Sequence, residues 1–397
     1  MEQQETIYFD NAATTQISGD VLDSMMFWLT KGYGNASSIY RLGREADTAL
    51  AKARSDIAAA LGVQSGEIFF TSGGSEGDNW AIKSLAKAGQ AKGKNHIVTS
   101  LFEHHAVLHA LDSLKKDGFE VTYLPVYENG TVRIADLEAA ITDKTALVTI
   151  MYVNNEVGTI QPIEQIGAVC AAKNVPFHTD AVQAVGNLPI DIKKSRIGLM
   201  TVSGHKLHAQ KGVGFLYADK RYKPAPLIDG GAQERGRRAG TENIAGIVGL
   251  AKAVVFATEN VANKRAHIQP LADKLKHGVL SLGHVDLNGE GGERISGTLN
   301  FCIQGVEAES LLLSLDMKRI AASSGSACTS GSLDPSHVLL SMGIPHWKAN
   351  GSLRLSLSEY TTEAEVDYFL QVFPPIVERL RENSPLWEKI VKEIPFK

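Results

Sequence analysis

Seven short apolar runs punctuate the first two thirds of the chain, with a helix-period stretch between most of them. The runs are EIFFTS (67–72), HIVTS (96–100), VTYLPV (121–126), ALVTIMYV (146–153), VPFHTD (175–180), IGLMTVS (197–203) and VGFLYA (213–218). Amphipathic segments such as SEGDNWAIKSLAKAG, HAVLHALDSLKKDG and IEQIGAVCAAKN separate them. That alternation predicts an α/β fold, a mostly parallel seven-stranded sheet with helices on both faces. In such sheets ligands gather at the carboxyl ends of the strands, so the polar residues directly after each run are where chemistry is expected.

From about Ala245 a long helical pattern, AGIVGLAKAVVFATENVANKRAHIQPLADKLKHGVLSLG, breaks this rhythm and reads as the connection to a second unit. After it come GTLNFCI, a helix EAESLLLSLDM, a short strand RIAAS, the strand SLRLSLS and an amphipathic helix after Thr362, the content of a smaller α+β domain. The expected division is a large domain of residues 16–260 and a small one built from 1–15 and 261–397. A chain of 397 residues is long enough to bury more than one core. Its formal net charge of −4 offers no basic field to nucleic acid or an anionic membrane. The apolar runs fall far short of a membrane span, and MEQQETIYFD carries no basic segment followed by an apolar stretch. Three cysteines, Cys170, Cys302 and Cys328, lack metal-site spacing and fit a reducing compartment. The expectation is a cytoplasmic enzyme acting on a small molecule.

VPFHTD ends in Asp180 and IGLMTVSGHK in Lys206, which sets a carboxylate and a lysine about 26 residues apart at the ends of neighbouring strands. Alone, such a lysine is a solvated charge and such an aspartate a helix cap. In TSGGSEGDN a strand gives way to Gly73, Gly74 and Ser75 before a helix, where backbone amides and the helix dipole can hold an anion; alone, this is a tight turn with a capping serine. It has neither the Walker lysine nor the GxGxxG order, so it does not imply a nucleotide. A phosphate cradle, an aspartate and a lysine on an α/β sheet are together what pyridoxal 5'-phosphate requires: an amine for its aldehyde, a carboxylate to keep the pyridine nitrogen protonated, and amides for its phosphate.

The segments YFDNAATT, EHHAV, NNEVGTIQPI, FHTDAVQAVGNLPID, SGHKLHAQKGVGFLY, QERGRRAGTEN and SSGSACTSGSLDPSHV together resemble the cysteine desulfurases of the NifS/IscS type, class V aminotransferase relatives, from about Tyr8 to Tyr368. The resemblance implies the aspartate-aminotransferase-like fold (fold type I of the pyridoxal-phosphate enzymes), a homodimer, and conversion of L-cysteine to L-alanine with the sulfur passed to an iron–sulfur scaffold protein. It implies Lys206 as the residue that holds the cofactor's aldehyde, Asp180 as the partner of the pyridine nitrogen and Gln183 as that of the ring hydroxyl. By the same resemblance His104 stacks on the ring and moves protons, and Gly74, Ser75, Ser203 and His205 hold the phosphate. Thr241 reaches the phosphate of the partner subunit, Asn155 and Arg354 bind the substrate carboxylate, and Cys328 receives the sulfur. Cys328 is implied as an iron ligand only in a complex with a scaffold carrying a cluster. The chain departs from commoner family wording at Ser75, Gly77 and Gln210, where threonine, serine and proline are frequent.

Two of these residues are also readable without the resemblance. In SLRLSLS the alternation puts Leu353, Leu355 and Leu357 on one face and Arg354, Ser356 and Ser358 on the other, so the arginine fork points away from the apolar side, toward a carboxylate ligand or a surface salt bridge. Cys328 sits in SSGSACTSG, too poor in apolar neighbours to bury a thiol, whereas Cys170 and Cys302 lie within helix and strand patterns and read as packing residues. A free thiol titrates near about 8.5, and the loop holds no basic residue to lower that. A selenocysteine lyase or an aminotransferase on the same scaffold is the nearest rival reading, and a cofactor-free binding homologue the next.

Overall fold

The computed structural model describes residues 6–324 and 335–392. Among these residues the strands are β1 (Ile7–Tyr8), β2 (Ile68–Thr71), β3 (His96–Ser100), β4 (Glu120–Leu124), β5 (Thr145–Thr149), β6 (Phe177–Asp180), β7 (Leu199–Ser203), β8 (Gly214–Ala218), β9 (Val285–Leu287), β10 (Thr298–Ile303), β11 (Ile320–Ala321) and β12 (Ser352–Ser356).

The seven apolar runs are the seven strands of one sheet, in the order β2-β8-β7-β6-β5-β3-β4. Every pair is parallel except those made by β8, which runs against both β2 and β7. All but the edge strand β4 are buried along their whole length. Burial on both faces is why these runs are continuously apolar. Successive side chains still go to opposite sides. Ile97, Leu147, Leu199 and Leu216 meet the helices Gly74–Gln90 and His105–Lys116 through Trp80, Ile82, Leu111 and Leu114. Their neighbours Val98, Val148, Met200 and Phe215 face a larger core on the other side, which includes Val21, Leu50, Ile57, Ile166 and Leu250.

A second core gathers Phe9 with residues between Ile268 and Val377, including Leu275, Phe301, Leu353, Leu355, Phe369 and Phe373. It lines the antiparallel sheet β12-β10-β9, in which Arg354 stands opposite Asn300. The N-terminal strand β1 joins this part of the molecule by pairing with β11. The alternation read in SLRLSLS holds, since Leu353, Leu355 and Leu357 enter this core.

Two details differ from the sequence expectation. The long pattern after Ala245 is two helices, Ile244–Glu259 and Val261–Leu280, bent by 69° at Asn260. Asn260 stops the first helix with its own side chain, whose Nδ2 donates to the Phe256 carbonyl (2.9 Å). The strand β9 has three residues, too few for a period to show. Among the described residues no single helix is long and apolar enough to cross a membrane.

Candidate active site

Asp180 ends β6 and Lys206 follows the adjacent parallel strand β7, so both reach the same end of the sheet. The helix Gly74–Gln90 starts beside them. Its cap is Gly73, at φ 147, and no side chain caps its first turn. The start of this helix is therefore a set of amides open to an anion rather than a serine-capped turn. Close approach explains the glycines: a Cβ on Gly74 would stand 3.1 Å from Val182 Cγ2 and 3.7 Å from Ser203 Cβ. Gly74, Val182 and Ser203 thus wall one cradle, two residues after Asp180 and three before Lys206.

Asp180 is buried, and the Val182 amide donates to its Oδ1 (2.9 Å). Burial pushes its carboxyl above the ordinary range, while His104, the Val182 amide and Lys206 pull the other way. Lys206 Nζ donates to the carbonyl oxygens of Ala12 (2.6 Å) and Ala13 (2.5 Å). Gln183 Nε2 donates to the same Ala12 carbonyl (2.9 Å), so the N-terminal strap holds both side chains at one place. The Ala106 amide donates to His104 Nδ1 (3.1 Å), fixing the ring and leaving Nε2 to carry the proton in its neutral form. A His104 ring nitrogen lies within 4.8 Å of an Asp180 carboxyl oxygen. His205 Nδ1 meets Thr14 Oγ1 at 3.2 Å, and burial first, then Lys206, drives its pKa down to about 4. It offers an anion a neutral N–H, not a charge.

Arg354 is not a surface residue. It is buried, donating from Nη2 to Asp10 Oδ1 (2.8 Å) and from Nη1 to the Asn155 carbonyl (3.0 Å), while its Nε has no hydrogen-bond partner among the described residues. Asn154, the neighbour of Asn155, holds a turn, its Oδ1 accepting from the amides of Glu156 and Val157. Thr241 is exposed and shares no hydrogen bond with the cradle among the described residues. Its segment is nevertheless pinned there: Arg238 donates to both oxygens of Glu76, on the first turn of the cradle helix (2.8 and 3.0 Å).

Cys328 lies outside the described residues. The described residues on either side of it are anchored near Arg354 and Asn155: Ser323 bridges to the Arg354 backbone, Ser352 Oγ donates to the Ser324 carbonyl (2.7 Å), and the Ser336 hydroxyl donates to the buried Glu156. Cys170 and Cys302 are buried packing residues, their thiols pushed up by burial to about 12 and about 11.

The departure at Gly77 has a steric reason here. A Cβ there would come within 2.6 Å of Thr201 Cγ2, and Thr201 cannot turn away without leaving His178, whose Nε2 is 3.0 Å from its Oγ1. Gly77→Ser is expected to destabilise the protein by about 1–3 kcal/mol, the usual scale of overpacking; the midpoint of urea unfolding checks it. Sequence reading missed Asp10 and Asp78. Asp78 had a signal, an acid on the buried stripe of Ala81, Ile82 and Leu85.

These residues fit pyridoxal phosphate: an uncapped helix start beside a glycine that a Cβ would block, a buried carboxylate and a lysine held at one strand end. Fold and site together define a pyridoxal-phosphate enzyme of fold type I. The profile of the class-V aminotransferases matches residues 7–369. The chain is 50% identical to a protein named cysteine desulfurase IscS from Clostridium botulinum strain Hall, over 97% of this chain and 98% of that one. Among solved structures, a NifS-like protein superposes with a TM-score of 0.89 at 38% identity, covering 94% of this chain and all of the other. SspA in complex with cysteine does so with 0.80 at 37%, covering 90% and 100%. The chain belongs to the class-V aminotransferase family and, within it, to the pyridoxal-phosphate-dependent cysteine desulfurases of the NifS/IscS type.

Proposed function

We propose that this enzyme takes sulfur from L-cysteine, leaves L-alanine, and hands the sulfur from Cys328 to an iron–sulfur scaffold protein. The carrying observation is the convergence of Lys206, Asp180 and the uncapped turn at Gly74 on neighbouring strand ends. Pyridoxal phosphate, when bound, supplies the electron sink. Lys206 holds it, Asp180 faces the ring nitrogen as an anion, and Gln183 meets the ring hydroxyl. Gly74, Ser75, Ser203 and the neutral His205 receive the phosphate, joined by Thr241 of a second copy in a homodimer. Arg354, with Asn155 alongside, grips the substrate carboxylate, a reading supported by its Nε, which has no hydrogen-bond partner among the described residues. His104 carries the proton at Nε2.

Ser323 and Ser336, on either side of the cysteine segment, are fastened to Arg354 and Glu156, which supports Cys328 as the acceptor. Its thiolate attacks the substrate sulfur; an S–S bond forms as the Cβ–S bond breaks, the electron pair stays with Cβ, and a proton completes alanine. The persulfide then passes outward, and Cys328 ligates iron only inside a complex with a cluster-bearing scaffold. The second core supports a small unit of 1–15 and 261–397 beside a large one of 16–260, although Ile295, Cys302, Val338, Leu339, Met342 and Ala349 pack into the first core. A cytoplasmic location suits a thiol that must stay reduced.

The test is covalent. Reduction of the holoenzyme with borohydride should leave the pyridoxyl group on the peptide containing Lys206; finding it on another lysine overturns the assignment.

A further inference from the structure

Among the buried carboxyls that the roles above leave without a task, Asp78 is the one beside both Asp180 and His104. Asp78 is 1% exposed on the inward side of the helix Gly74–Gln90. One of its oxygens lies within 4.8 Å of an Asp180 oxygen and of a His104 ring nitrogen. Its Oδ1 has no hydrogen-bond partner among the described residues and stands 3.6 Å from His178 Nε2. His178 is no counter-ion. Its nitrogens meet Thr149 Oγ1 (2.9 Å) and Thr201 Oγ1 (3.0 Å), and burial drives its pKa down to about 3, so it is neutral.

The groups around Asp78 are Asp180 and His178 from β6, Thr201 from β7, and Glu103 and His104 from the turn after β3. Two of these are carboxyls, and none of them is a lysine or an arginine. Two carboxylates this close in a dry site cannot both be charged. Their partners decide which one keeps the proton. Asp180 has the Val182 amide, His104 and Lys206; Asp78 has the Thr201 hydroxyl. We propose that Asp78 is a neutral carboxylic acid whose hydroxyl donates to the Asp180 carboxylate, making it a positioning residue that fixes the charge and orientation of Asp180 toward the coenzyme ring. This inference rests on the reading of Asp180 given above. Burial, with Asp180 next, raises the Asp78 carboxyl well above the ordinary range, in the same direction.

A donor aimed at Asp180 lowers its basicity, so that it stays an anion beside the ring nitrogen rather than taking the proton itself. Gly77 serves the same arrangement, since a side chain there would displace Thr201.

The experiment has an infrared arm and a binding arm. In full-length protein labelled with ¹³C-aspartate, the difference spectrum between wild type and Asp78→Asn at neutral pH should show the C=O stretch of one protonated aspartic acid, with and without coenzyme; its absence from both forms overturns the proposal. Asp78→Ala should weaken pyridoxal-phosphate binding at least about tenfold, the scale of one charge-assisted hydrogen bond. It should also move the pH at which the coenzyme's visible band titrates. Asp78→Asn, whose amide still donates, should recover most of both effects, and an asparagine variant as impaired as the alanine one shows that a charge is needed and overturns the proposal. Should Asp78→Ala fail to fold, the infrared band and the asparagine variant decide. Asp180→Ala separates the two readings: unchanged affinity and an unchanged visible band there overturn the role of Asp180, and with it the positioning role, while leaving the Asp78 infrared band in place.

Discussion

Lys206→Ala is expected to abolish alanine and sulfide formation together, lowering turnover by at least about a thousandfold, and to leave no coenzyme fixed to the protein by borohydride. The argument is positional. Lys206 is the amine that the strand order places beside Asp180, and the strap carbonyls of Ala12 and Ala13 hold its Nζ there. Asp180, Gln183 and the amides at Gly74 all survive the substitution. The variant should therefore still bind the coenzyme, without the covalent link and without turnover. Measured turnover near the wild-type rate, or borohydride labelling that persists in the variant, would remove Lys206 from the centre of the chemistry. Circular dichroism guards against trivial unfolding.

Cys328→Ser is expected to have the opposite signature. The protein should stay yellow and form spectral adducts with cysteine, yet release sulfide at least about a hundredfold more slowly, because a hydroxyl is a far poorer nucleophile than a thiolate. The separation of effects is the diagnostic part. Lys206 and Asp180 stand at the ends of β6 and β7, where the Val182 amide and the carbonyls of Ala12 and Ala13 hold them. Losing the acceptor therefore leaves the coenzyme pocket whole. Full sulfide production by the serine variant would refute the acceptor role. Running the same variant on selenocysteine distinguishes a selenocysteine lyase, which needs the loop thiol less.

Six of the seven strands were legible because each is buried on both faces and so writes an apolar run. Asp180 and Lys206 were legible because their strands are consecutive in sequence and adjacent in the sheet. What the sequence hid depends on closeness between distant segments. Arg354 alternates with leucines, which marks its direction, but no pattern announces that Asp10, 344 residues away, will bury and pair it. The strap's grip on Lys206 is made by backbone carbonyls, which have no letter in the sequence. Asp78 was hidden differently. An acid near a helix start is expected from the dipole alone, which masked the one signal it had, its place on the apolar stripe of Ala81, Ile82 and Leu85. The bend at Asn260 lacks a proline or a run of glycines, so the helical period crosses it unmarked.

The strap also sets when the enzyme can begin to work. Asn11 and Ala12 are fastened to Ser356, through the Ser356 carbonyl (2.9 Å) and hydroxyl (2.9 Å), across 345 and 344 residues of chain. A ribosome that has made both strands of the lysine and aspartate still has the tether's second anchor to synthesise, so a truncated nascent chain holds most of the assigned residues without their alignment. The alignment of Lys206 and Gln183 on the Ala12 carbonyl is thereby a property of the chain completed at least as far as Ser356.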